Sequence, residues 1–133
     1  MTEHSASPTV MRSTLGQVRG LGSAKHGMAH WWAQKVTSFA LIPLTLWFVG
    51  ACIRLKGLPR AEVAHWVANP IVATLLIVLL VATFHHLQLG LESVIEDYVR
   101  GTKKIASLLV VRAVCVLFAL TGLIAVLKLA ITG

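Results

Sequence analysis

An all-α membrane protein with three transmembrane helices is the fold class this sequence predicts, and three observations carry that reading. Hydrophobic residues make up 56% of the chain and charged residues 13%, about half the charge that a soluble domain displays. Three apolar runs, Val36 to Ile53, Ile71 to Leu91 and Ile105 to Leu127, each approach the ~20 residues needed to cross a bilayer. The first is uncharged, the second is uncharged apart from its histidines, and the third carries only Arg112. These runs occupy about half of the 133 residues, which leaves room for one domain and no soluble core.

In chain order, residues 1–35 read as a polar N-terminal segment in which Gly16, Gly20, Gly22 and Gly27 interrupt any helix. A three-helix membrane domain then fills 36–133, with spans at about 36–54, 70–97 and 105–130. His30-Trp31-Trp32 and Lys35 lead into the first span, as aromatic and cationic anchors at the headgroups do. Pro43 falls inside that span, which membrane helices tolerate. The following loop holds Pro59 and a segment, Arg60 to Ala68 with Trp66, suited to an amphipathic helix lying at the interface. Pro70 fits the first turn of the second span, where its missing N–H costs nothing. That helix runs to about Asp97, Gly101 and Thr102 break the chain, and Lys103 and Lys104 mark the interface before the third span.

A net charge of +7 raises the question of nucleic acid, but the Lys and Arg residues sit at span ends and form no continuous basic face. Headgroup anchoring and the positive-inside bias account for them, so the expected surroundings are lipid and not nucleic acid. Arg12, Arg19, Lys25, Lys35, Arg100, Lys103 and Lys104 put seven cations on one side, against four on the other from Arg54, Lys56, Arg60 and Lys128. The N-terminus is therefore expected on the cytoplasmic side and the C-terminus on the periplasmic side. Cys52 and Cys115 lie within spans and read as small buried hydrophobes, not as a disulfide or metal pair.

The chemistry-bearing stretch runs from Phe84 to Tyr98 and closes the second span. A histidine inside hydrocarbon is expensive and marks a functional site by default. His85 and His86 point about 100° apart on a helix, so they do not share one metal face. His86 is flanked one turn away by Ala82 and Gly90, whereas His85 is flanked by Val81 and Leu89. Small neighbours leave a flat notch where a planar macrocycle can approach the imidazole, a standard haem ligand. Hydrogen bonding across a helix pair is the other reading of His86, and spacing alone leaves both open. Glu96, Asp97 and Tyr98 end the same helix. Tyr98 reads either as an interfacial anchor or as a phenol donating to a small ligand at the membrane surface.

His86-x3-Gly90-x3-Val94-x2-Asp97-Tyr98 resembles the signature of the smaller, D-type membrane anchor subunit of succinate dehydrogenase. Gly20-Leu21-Gly22-Ser23-Ala24-Lys25 and His30-Trp31-Trp32 resemble bacterial members as well, so the likeness covers nearly the whole chain. It implies that His86 is one axial ligand to the iron of haem b, shared with a second, C-type anchor subunit of which this chain forms the helical counterpart. It implies that Tyr98 and Asp97 border a ubiquinone site, with Asp97 orienting cations such as Arg100. The second ring nitrogen of His86 is expected to hydrogen-bond, with the Ala82 carbonyl as partner. A haem's propionates call for cations, and Lys35 and His30 at the inner interface are the candidates. Arg112, about 10 Å along its helix from the inner end, is a weaker candidate for the same contact, since it is able to snorkel to the surface unaided.

The resemblance further implies an iron–sulfur subunit and a flavoprotein docked on the inner side of a bacterial cytoplasmic membrane. This chain has no Gly-rich nucleotide fingerprint and no cysteine cluster, so FAD and iron–sulfur centres belong to those partners. It would be a non-flavin subunit of a succinate:ubiquinone oxidoreductase and would not oxidise succinate itself. Two positions depart from the pattern: Lys35 stands where bacterial members usually carry Arg, and Glu92 where many carry Gln. The competing readings are a fumarate reductase anchor running the reverse reaction, and a non-redox scaffold or small transport module. A b-type absorbance spectrum separates the last from the others.

Overall fold

A computed structural model describes residues 25–132. Residues 1–24, which include most of the expected polar segment and the Gly20 to Ala24 part of the resemblance, lie outside it, as does Gly133. Four helices make up the described chain: α1 (Lys25–Leu55), α2 (Arg60–Val67), α3 (Pro70–Tyr98) and α4 (Thr102–Thr132). The three long ones are each apolar and long enough to cross a membrane. At 29 to 31 residues they measure about 45 Å, against a hydrocarbon core of ~30 Å, so their ends reach into the headgroup layers.

Helix α1 begins well before the expected start of the first span. Ala29, Ala33, Met28, Gln34 and Lys35 are good helix formers, and Gly27 is the one interruption in this stretch. A single glycine costs about 1 kcal/mol, and adding turns to an existing helix is far cheaper than nucleating one. The long apolar run therefore carries the helix back through Gly27 to Lys25. It ends at Leu55, followed by Gly57 with φ +84°, the left-handed conformation that stops helices.

Helix α2 matches the expected amphipathic segment. Glu62 sits in its first turn, where the helix dipole favours an anion. Ala64 and Val67 are buried as α2 packs against α3 and α4. Trp66 stacks on Trp47 of α1 with ring centroids 5.9 Å apart. Asn69 then caps α3, its side-chain oxygen accepting from the Ile71 N–H at 3.0 Å, and Pro70 takes the first helical position.

Helix α3 lies between α1 and α4 and packs on both. Gly101, at φ +72°, makes the tight turn that folds α4 back along α3. Phe84 and Phe118 stack at 6.2 Å. A Cβ at Gly122 would stand 2.8 Å from the Leu80 side chain, so the missing side chain lets Leu80 pack against the α4 backbone here. Most large apolar side chains remain exposed, Phe39, Leu46 and Ile131 among them, and the buried core is small: Ala51, Ala64, Val67, Leu89, Cys115 and one charged residue, Glu92. Such a surface requires lipid or further subunits around it. Seven hydroxyls, including Thr74, Thr83 and Thr121, donate to carbonyls four residues back, which satisfies them without water.

Candidate functional site

His86 sits near the middle of α3 and is half-buried. Its Nδ1 lies 3.0 Å from Thr37 Oγ1 on α1, so the expected Ala82 carbonyl is not its partner. A carbonyl four residues back is already engaged by the helix ladder, whereas the antiparallel neighbour offers a side chain at the same level. The Thr37 hydroxyl has one proton, and it is directed to backbone carbonyls, Ala33 at 2.8 Å and Gln34 at 3.1 Å. With the hydroxyl proton on a carbonyl, the oxygen accepts from Nδ1–H of His86 and the lone pair falls on Nε2, the roles in this bond following the tautomer. A neutral imidazole with a free Nε2 lone pair is able to ligate a metal. A Cβ at Gly90 would meet nothing within 4 Å, so the space one turn from His86 is open, as the small flanking residues suggest. His85, by contrast, is exposed and lines a shallow groove with Val81, Gln88 and Cys115.

Six residues further along α3, about 9 Å on, lies Glu92, only 4% exposed. Its carboxylate joins three helices. Arg112 of α4 donates through Nε to Oε1 at 2.6 Å and through Nη2 to Oε2 at 3.4 Å, a two-point fork. Gln88 Nε2 donates to Oε1 at 2.9 Å. His30 of α1 brings Nε2 to 3.8 Å from Oε2, and among the described residues that buried nitrogen has no hydrogen-bond partner. Arg112 thus does not run unaided to the surface. An unpaired guanidinium in an apolar span is costly, and a carboxylate lies opposite it.

The remaining expected site residues are placed differently. Tyr98 is 84% exposed at the end of α3, ~18 Å along the axis from His86. Asp97 is exposed beside it. Among the described residues the ion pair is that of Glu92 with Arg112, with the His30 imidazole 3.8 Å from the same carboxylate, so Asp97 does not hold Arg100. Lys35 is exposed, with Nζ 5.6 Å from the Trp31 ring centroid. It lies about 200° around α1 from Thr37, on the far side from His86. His30, seven residues before Thr37, shares Thr37's face. The chain therefore gathers His86, Thr37, His30 and Glu92 along one α1–α3 seam, and leaves Lys35, Asp97 and Tyr98 outside it.

Thr37, Gln88 and Arg112 are the partners that sequence reasoning missed, and Glu92 entered it only as a departure from a pattern. One signal was available. Glu92 lies nine residues before Gly101 and Arg112 eleven after it, so a hairpin turning at Gly101 sets the two opposite charges side by side. No group of three or more His, Cys, Asp or Glu side chains able to hold a metal ion occurs among the described residues.

The family model described as succinate dehydrogenase/fumarate reductase transmembrane subunit matches residues 9–122. A Rickettsia bellii (strain RML369-C) protein named succinate dehydrogenase hydrophobic membrane anchor subunit is 28% identical over 92 residues, 69% of this chain and 74% of that one. A Paracoccus denitrificans protein of the same name is 33% identical over 88 residues, 65% of this chain and 68% of its own. A third so named, from Rickettsia conorii (strain ATCC VR-613 / Malish 7), is 27% identical over 101 residues, 75% of this chain and 80% of that one. No solved structure matches the chain significantly.

Proposed function

The chain belongs to the succinate dehydrogenase/fumarate reductase transmembrane subunit family, and from that premise we propose that it is a D-type anchor that ligates haem b and helps form a ubiquinone site. Its role as a membrane anchor subunit of succinate dehydrogenase follows from the family match and the three curated relatives. The flavoprotein and iron–sulfur subunits dock on it, and a second, C-type anchor completes the bundle and the axial ligation. The exposed apolar side chains of all three long helices support that further subunit.

The observation that carries the haem reading is the His86–Thr37 hydrogen bond. It fixes the ring against α1 and leaves Nε2 as the ligating nitrogen, beside the open space at Gly90. The residues present thus fit the group. Bound there, a b-type haem would supply a one-electron centre inside the membrane. His86 would hold the iron through its ring, and Thr37 orients that ring and would raise its basicity by accepting from Nδ1–H. Of the two candidate propionate contacts, His30 fits better than Lys35, because it shares Thr37's face and its Nε2 has no hydrogen-bond partner among the described residues.

At the end of α3, Tyr98 donates its hydroxyl proton to a quinone carbonyl, supplying a hydrogen bond without a buried charge. Asp97, next to it, sets the local electrostatics for protonation as the quinone is reduced. The cation count of seven against four supports a topology with this end and the N-terminus on the cytoplasmic side and the C-terminus on the periplasmic side of the bacterial inner membrane.

The test is a reduced-minus-oxidised absorbance spectrum of the purified complex. The wild type should show a b-type signal, His86→Ala should lose or shift it, and His85→Ala should leave it intact. A complex without the signal, or one altered only by His85→Ala, overturns the haem assignment.

A further inference from the structure

At the opposite end of the bundle from Tyr98, the last turns of α1 and the short helix α2 enclose a cavity of about 540 Å³, within the roughly 300–1,000 Å³ range of small-ligand sites. Its walls are of two kinds. Leu46, Gly50, Leu55 and Leu58 form an apolar side, while Arg54, Glu62 and His65 bring a cation, an anion and an imidazole. The stacked Trp47–Trp66 pair also lines the cavity, as indoles gather at a membrane–water boundary. Arg54 and Glu62 face one cavity yet form no ion pair with each other, since among the described residues the ion pair is that of Glu92 with Arg112.

Two opposite charges held apart beside an apolar wall match a molecule that carries both charges and an apolar tail. We propose that this cavity binds a phospholipid whose headgroup bears a primary ammonium. Arg54 and His65 donate to the phosphodiester, Glu62 accepts from the ammonium, and the acyl chains follow Leu46, Trp47 and Gly50 into the bilayer. The carboxylate is what selects the headgroup. Choline has no N–H to donate to Glu62, and glycerol brings hydroxyls but no charge. A quinone offers only carbonyl acceptors, which repel a carboxylate. Inorganic phosphate would leave both Glu62 and the apolar wall unused.

Gly50 supplies a clean way to close the site, because a Cβ there meets no atom within 4 Å. Gly50 lines the cavity, so a leucine there would occupy part of that space. The test takes the full chain with its copurifying subunits, equilibrates it with vesicles of equimolar phosphatidylethanolamine, phosphatidylcholine and phosphatidylglycerol, and reads retained lipid by native mass spectrometry. Wild type should retain phosphatidylethanolamine over either competitor by roughly threefold, the selectivity an exposed ion pair provides. Glu62→Gln should bring phosphatidylethanolamine and phosphatidylglycerol to parity. Arg54→Gln and Gly50→Leu should each remove one retained lipid per chain. Wild type without headgroup preference, or Gly50→Leu and Arg54→Gln with unchanged lipid retention, overturns the proposal. So does ubiquinone in place of a lipid, lost on Gly50→Leu.

Discussion

Helix α3 carries polar groups at two levels, and they are satisfied in opposite ways. Along the seam with α1 and α4, each polar group meets a neighbour within the same chain: His86 has Thr37, and Glu92 has Arg112, Gln88 and, less closely, His30. At the helix end Asp97 and Tyr98 are exposed, and among the described residues neither forms a side-chain hydrogen bond or ion pair. The first set is what an apolar surrounding demands, since an unpaired polar group there costs several kcal/mol. The second tolerates solvent and headgroups, so it needs no partner within the chain. Substitutions along the seam should therefore act on folding and cofactor retention, and those at the end on turnover alone.

The largest effect expected from breaking this contrast is at Arg112. Arg112→Leu strands the Glu92 carboxylate in the bundle with only Gln88 and His30 near it. Removing the partner of a carboxylate that is only 4% exposed is destabilising, so the melting temperature followed by circular dichroism in detergent should fall by more than in any other single variant considered. Glu92→Gln should be milder, because Arg112, its side chain 57% exposed, is free to turn toward headgroups. Combining Arg112→Leu with Glu92→Leu should recover most of the loss, as replacing a whole buried pair by apolar residues does. If the double variant were no better than Arg112→Leu alone, the pair would not be what joins α3 to α4.

Tyr98→Phe probes the other level. With the hydroxyl exposed and unpartnered in the chain, its loss should leave melting and haem content unchanged. Quinone reduction should fall by about 5- to 150-fold, the equivalent of a lost donor worth ~1–3 kcal/mol. Succinate oxidation by an artificial acceptor that takes electrons upstream should stay near wild type. A drop in thermal stability with normal quinone kinetics would reverse the contrast and make Tyr98 an anchor.

Much of this was legible in the sequence. The three apolar runs, Pro70 at the start of α3 and Gly101 at the turn carry their meaning locally, and the helices formed where those signals stand. Ala82 and Gly90 singled out His86 over His85 through spacing on one helix, a purely local argument. What stayed hidden depends on which faces meet. Thr37 and Ser38 are adjacent hydroxyls on an uncharged run, and only the packing of α1 on α3 decides which one reaches His86. The early start of α1 was missed for a different reason: Gly27 reads as a breaker alone, but the uncharged run from Val36 to Ile53 downstream outweighs it.

The smallest expected effect is also the sharpest test of how the seam works. Thr37→Val keeps the shape of the side chain and removes the acceptor 3.0 Å from His86 Nδ1. The ring then loses one neutral hydrogen bond, worth about 0.5–1.5 kcal/mol net, so melting should drop slightly and haem should still bind. The electronic consequence has a definite sign. An acceptor on Nδ1–H raises the basicity of the ligating nitrogen, which favours the more positive, oxidised iron, so removing it should raise the haem midpoint potential. Thr37→Ser retains the oxygen and should keep the wild-type potential, which separates loss of the hydrogen bond from loss of packing. A Thr37→Val potential equal to wild type, or one shifted equally in Thr37→Ser, would show that α1 contacts His86 without holding it.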